Sequence, residues 1–85
     1  MKTIGVQLKP ITTEKAVMLI EKDNVITFTV SPKFSKDEVK KTVEELFEVK
    51  VEKVRTSIRN NKKYTYVKLK KEFPAIDLAT KIGII

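Results

Sequence analysis

Residues 51–69 read Val51-Glu52-Lys53-Val54-Arg55-Thr56-Ser57-Ile58-Arg59-Asn60-Asn61-Lys62-Lys63-Tyr64-Thr65-Tyr66-Val67-Lys68-Leu69, and their period is two. Val54, Thr56 and Ile58 alternate on one arm; Thr65, Val67 and Leu69 alternate on the other, as strands do when one face is buried. Between the arms, Arg59-Asn60-Asn61-Lys62 places two asparagines where a tight turn needs positive φ. The segment is therefore a β-hairpin. Its apolar phase slips between Val51 and Val54, which predicts a bend or bulge there.

Charge singles out the same stretch. From Lys50 to Lys71 there are nine bases (Lys50, Lys53, Arg55, Arg59, Lys62, Lys63, Lys68, Lys70 and Lys71) against one acid, Glu52, a net charge of +8. The other residues hold nine bases and ten acids, so the +7 of the whole chain sits in the hairpin. A basic ribbon carrying Tyr64 and Tyr66 suits a polyphosphate partner. By alternation Tyr64, Tyr66, Lys68 and Lys70 share the face opposite Thr65, Val67 and Leu69. Rings and ammonium groups on one face suit phosphate contact with stacking on unpaired bases. The tyrosines serve equally well as cross-strand packing, and lysines elsewhere in the chain make a solvated Lys-rich surface the competing reading of the charge. Both arginines of the chain, Arg55 and Arg59, lie here, where forked contacts to phosphate favour Arg over Lys.

Working outward, a short strand is expected from about Ile4 to Leu8, ending at Pro10. Thr12 or Thr13 caps a first helix to about Lys22, with Glu14 in its first turn. Asn24 to Val30 alternates and reads as a strand with Ile26, Phe28 and Val30 on one face. Ser35-Lys36-Asp37-Glu38 is a capping box opening a helix with an apolar stripe of Val39, Val43, Leu46 and Phe47; Lys40, Lys41, Glu44, Glu45 and Glu48 point to solvent. Pro74 begins a last helix with Ala75, Leu78, Ala79 and Ile82 on one face, and Gly83 is placed to stop it. The expected class is α/β of the α+β type: a four-stranded, mainly antiparallel sheet packed with about three helices, in the order β-α-β-α-β-β-α.

Eighty-five residues without a linker or repeat read as one domain, 1–85. No apolar run approaches the roughly 18–20 residues of a spanning helix, and the start lacks a signal peptide's apolar region, so neither export nor membrane embedding is expected. With no Cys there is no disulfide framework and no thiolate metal site. With no His as well, the commonest general base and the commonest soft nucleophile are both missing. The only glycines are Gly5 and Gly83, so there is no glycine-rich phosphate loop. The expectation is a non-enzyme with no catalytic residues, no metal, no cofactor and no small-molecule substrate. Lys and Glu dominate while Gln occurs once and Asn three times, a bias of proteins from hot environments.

The candidate RNA-binding residues are Lys9, Thr13, Lys15, Lys53, Arg55, Arg59, Lys62, Lys63, Tyr64, Tyr66, Lys68 and Lys70. A second candidate surface lies on the first helix. At 100° per residue, Ala16, Val17, Leu19 and Ile20 cluster on one side, and Met18 falls opposite them beside Glu14 and Glu21. That trio reads either as a partly covered methionine or as a docking patch, an adaptable apolar knob flanked by acids.

Three blocks carry a family resemblance. Lys9-Pro10-Ile11-Thr12-Thr13-Glu14-Lys15-Ala16 resembles the P-x-x-T/S-E-K-A opening of the twenty-third large-subunit ribosomal protein family. Phe47-Glu48-Val49-Lys50-Val51-Glu52-Lys53-Val54 is similar to that family's approach to its hairpin, and Tyr66-Val67-Lys68-Leu69 to its closing strand. The blocks stand in the family's order and cover nearly the whole chain. The resemblance implies an antiparallel α/β domain on large-subunit rRNA at the rim of the polypeptide exit tunnel, among neighbouring ribosomal proteins. It also implies a docking point for the signal recognition particle and the protein-conducting channel, with Glu14 matching the acid associated with docking. The short turn Arg59–Lys62 resembles the archaeal type, without a tip that reaches into the tunnel. Arg55-Thr56 stands where the family usually has Asn-Thr, and Thr65 is preceded by Tyr64 rather than a base. Two other readings share part of the pattern: a free-standing chromatin-like nucleic-acid binder, and an acylphosphatase-like enzyme, although Leu8-Lys9-Pro10-Ile11 does not resemble a phosphate cradle.

Overall fold

The computed structural model describes residues 8–83. Four strands and three helices follow one another as β1 (Lys9–Pro10), α1 (Glu14–Asp23), β2 (Val25–Val30), α2 (Lys36–Phe47), β3 (Val51–Arg59), β4 (Lys62–Leu69) and α3 (Ala75–Lys81). The sheet order is β1-β2-β4-β3 and every neighbouring pair is antiparallel. This is the α+β architecture and element order the sequence predicts. Of the expected first strand, residues 4–7 lie outside the described residues. Leu8 is not in a strand, and the paired segment is Lys9–Pro10, at a sheet edge where a proline costs no ladder bond.

Local chemistry sets the element boundaries. The Thr13 Oγ1 accepts the Ala16 N–H at 3.2 Å and starts α1. The capping box is complete: Ser35 Oγ accepts from the Glu38 N–H, and Glu38 Oε1 accepts from the Ser35 N–H at 2.8 Å. The β3–β4 turn holds Asn60 at φ 52° and Asn61 at φ 64°, the pair of positive φ values a two-residue hairpin turn requires. The expected irregularity is a bulge between Val51 and Lys53, and Glu44 fits against it. Rather than pointing to solvent, Glu44 is half-buried and its Oε2 accepts the Val51 N–H at 2.9 Å.

Ile26, Phe28 and Val30 of β2, Val67 and Leu69 of β4, and Val51 and Val54 of β3 form one apolar core with Val39 and Val43 of α2 and Ala75, Leu78 and Ala79 of α3. Phe28 and Phe47 stack with ring centroids 6.3 Å apart. Two buried threonines fit because their hydroxyls find carbonyls: Thr65 Oγ1 donates to Phe28 O, and Thr42 Oγ1 to Glu38 O. Cover runs out at two places the alternation had grouped with the core. Leu46 is 52% exposed on α2, and Thr56 and Ile58 are exposed where the hairpin extends beyond the helices.

Asn24 closes the fold. As the left-handed C-cap of α1 (φ 59°), it sends its side-chain amide to Leu69 O, Lys70 O and Phe73 O at 3.1, 3.3 and 3.2 Å. Its Oδ1 accepts the Ala75 N–H at 2.6 Å, capping α3, whose own N-cap Pro74 makes no side-chain bond. One residue therefore ties the end of α1 to the end of β4 and the start of α3.

Candidate nucleic-acid interface

The two-residue turn fixes the register of the hairpin, and the register decides which side chains meet. Cross-strand partners are Lys53↔Lys68, Arg55↔Tyr66, Ser57↔Tyr64 and Arg59↔Lys62, all on the face opposite Val54, Thr65 and Val67. Across β2, Tyr66 and Tyr64 are paired with Thr27 and Thr29, and Thr29 with Lys9. One sheet face therefore carries Lys9, Lys53, Arg55, Arg59, Lys62 and Lys68 with both tyrosines, and the paired strand positions on it include no acid. Two of the cross-strand pairs, Lys53↔Lys68 and Arg59↔Lys62, set like charges directly opposite one another. Such pairs destabilise a sheet. A surface selected only for solvation would alternate the signs.

This face is not open throughout. Helix α1 packs along β2 and buries Ala16 and Ile20. Its Lys15, Leu19 and Asp23, one turn apart, border the strands. The result is a groove of two adjoining clefts. One, about 300 Å³, is lined by Thr13, Lys15, Leu19, Thr27, Arg59, Tyr64 and Tyr66 among others. The second, about 310 Å³, lies against Lys15, Leu19, Asp23, Lys53, Arg55, Tyr66 and Lys68. Asp23 is the one acid among the residues lining the two clefts.

The aromatic wall is already organised. The Arg59 guanidinium sits 4.7 Å from the Tyr64 ring centroid, and its Nη2 donates to the Tyr66 hydroxyl at 3.3 Å. A stacked, hydrogen-bonded Arg has less rotamer freedom to lose when it meets an anion.

Eight of the twelve candidate RNA-binding residues thus converge on the groove: Thr13, Lys15, Lys53, Arg55, Arg59, Tyr64, Tyr66 and Lys68. Lys9 and Lys62 line a separate cleft of about 390 Å³ with Lys33 and Phe34. Lys63 projects to the helix side of the sheet, where its Nζ donates to Phe34 O at 2.7 Å. Lys70 follows the end of β4 and is exposed. Sequence reasoning did not single out Leu19 and Thr27 as groove residues: Leu19 reads as part of the apolar side of the first helix, and Thr27 falls on the strand face opposite Ile26, Phe28 and Val30 with no sign that a helix borders it. Glu14, Met18 and Glu21 lie on the exposed side of α1, and Met18 is 53% exposed. Among the described residues no group of three or more acids forms a metal site, and no helix is long and apolar enough to cross a membrane.

The family model described as ribosomal protein L23 matches residues 5–77. The chain belongs to this family. It is 42% identical over 85 residues, 99% of each chain, to the large ribosomal subunit protein uL23 of Methanothermobacter thermautotrophicus. That organism is a methanogen, in keeping with the archaeal character expected from the short turn. Membership gives the chain a structural role in the large ribosomal subunit and so in translation.

Proposed function

We propose that the chain binds large-subunit rRNA through the groove between α1 and the hairpin, at the rim of the polypeptide exit tunnel. The observation that carries the reading is the one-signed face, above all the like-charged pairs Lys53↔Lys68 and Arg59↔Lys62. Repulsion that costs stability in the free chain is relieved when phosphates lie between the bases. Lys15, Lys53, Arg55, Arg59 and Lys68 take backbone phosphates, Thr13 adds a polar contact, and Tyr64 and Tyr66 present ring faces to bases. Lys9, Lys62, Lys63 and Lys70 extend the field around the groove. Serving as a structural element, the chain performs no catalysis and acts in the cytoplasm on the ribosome, beside neighbouring ribosomal proteins. The far side of α1, Glu14, Met18 and Glu21, serves as a docking surface for factors meeting the nascent chain, the signal recognition particle and the protein-conducting channel. An apolar knob between two carboxylates is chemically unlike the groove, which favours a separate partner for it.

The test is a titration with the chain's own rRNA fragment over a range of salt. With about five phosphates neutralised, log affinity falls against log salt with a slope of roughly −3.5 to −4.5. Joint reversal of Lys53, Arg55 and Arg59 to Glu weakens binding at low salt and flattens the slope. Unchanged affinity and slope would defeat the assignment, and equal affinity for generic duplex DNA would favour a free-standing nucleic-acid binder.

A further inference from the structure

Within the cleft beside the hairpin turn, one polar atom has no partner. Thr27 is only 4% exposed, and its Oγ1 is buried without a hydrogen bond. A buried unsatisfied hydroxyl is costly, and the other buried threonines, Thr42 and Thr65, avoid the cost by donating to carbonyls. Thr27 lines the cleft, together with the apolar Ile11, Ala16 and Leu19. The remaining walls are the Arg59–Tyr64 stack and Tyr66, with Lys15 at the side of α1.

Resting on the rRNA-binding reading above, we propose that this cleft receives a single unpaired nucleobase turned out of its stack. The chemistry of the lining favours a base over the other parts of a nucleotide. A phosphate among Ile11, Ala16 and Leu19 would lose hydration without enough partners to replace it. A base is flat and largely apolar on its faces, stacks on a Tyr ring or an Arg plane, and carries edge groups that either donate to or accept from a threonine hydroxyl. The cations Lys15 and Arg59 stand where the flanking phosphates of an extruded nucleotide pass. A basic or aliphatic side chain as occupant is disfavoured by this cationic and aromatic surround. The Thr27 hydroxyl is closed to solvent in the free chain, so seating the base turns this side chain about χ1 toward the cleft, and the hydrogen bond to the base edge then satisfies it.

The experiment uses the full chain and its rRNA fragment, with each unpaired nucleotide replaced in turn by an abasic residue. One position is expected to weaken binding by roughly ten- to a hundred-fold, the range of a single base–aromatic stack, without changing the salt slope. Leu19→Trp, which fills the cleft, and Thr27→Val, which keeps shape and removes the hydroxyl, are measured against the same series. In each variant the loss at that one position shrinks, since the base no longer seats; at other positions the variants match the parent series. Melting curves identify any variant that does not fold, and Tyr64→Leu then replaces it. If the parent binds the fragment but no abasic position stands out, or if the loss is the same in the variants, the base pocket is wrong while rRNA binding stands. If the parent does not bind the fragment at all, both readings fall.

Discussion

Lys53→Glu separates the demands of folding from those of binding. Lys53 is exposed, lies directly opposite Lys68 and shares its sheet face with Arg55. A cross-strand pair contributes about 0.2–1 kcal/mol, favourable for opposite charges and unfavourable for like ones. Converting one into the other spans about 0.4–2 kcal/mol, and solvent screening of an exposed pair keeps the gain near the lower end, about 0.5–1 kcal/mol. For a domain of this size that raises the melting temperature by roughly 2–8 °C at low salt. The gain shrinks as salt is added, because the interaction is screened. Lys53→Gln removes only the repulsion and falls between the two. In the rRNA titration the same Lys53→Glu substitution removes a phosphate contact, lowering affinity and reducing the steepness of the salt slope by roughly 0.7–0.9. Thermal melts at low and high salt, paired with that titration, complete the assay. A Lys53→Glu chain that melts lower than its parent, or that binds rRNA with the parent's affinity and slope, refutes the claim that this face sacrifices stability for a polyanion.

Other outcomes follow from the fold. Asn24→Ala removes the bonds to Leu69, Lys70 and Phe73, uncaps Ala75 and leaves an alanine at positive φ, costing about 2–4 kcal/mol in chemical denaturation. Asn24→Gly, which tolerates that φ, loses about 1 kcal/mol less, and equal losses for the two would contradict the backbone part of the argument. Glu48 is the C-cap of α2 at φ 55°, so Glu48→Gly leaves stability unchanged or raises it by up to about 1 kcal/mol in the same assay. Ile58→Thr is near neutral because Ile58 is 60% exposed, whereas Phe28→Ala costs about 3–5 kcal/mol. Glu14→Lys combined with Met18→Ala leaves incorporation into the large subunit intact but reduces recruitment of an exit-site factor; loss of incorporation would show that this face meets RNA or protein inside the subunit.

Features that depend on near neighbours in sequence were legible before any coordinates. The capping box of Ser35 and Glu38, the paired positive φ of Asn60 and Asn61, and the bulge after Val51 each follow from a few adjacent residues. What needed the structure spans distance. Asn24 reads as the first residue of a strand, but it caps α1 and its side-chain partners lie 45–51 residues away. Ile58 continues the apolar alternation of β3, yet no helix reaches far enough along the hairpin to cover it. For the site, alternation placed both tyrosines on one face but gave no sign that α1 lies across part of it, turning a flat basic ribbon into a groove. Lys63 shows the limit of reasoning from charge alone. Charge placed it among the RNA-binding candidates, whereas its parity with Thr65 and Val67 puts it on the face of the sheet that carries α2, where it meets the Phe34 carbonyl.

The most direct test of the central claim is sedimentation with ribosomal subunits before and after a moderate salt wash. The account predicts that the chain travels with the large subunit and stays there after the wash, and that the Lys53, Arg55 and Arg59 triple reversal to Glu is released by it. Recovery of the parent chain in the free fraction, or equal retention of the parent and the reversed chain, would contradict it.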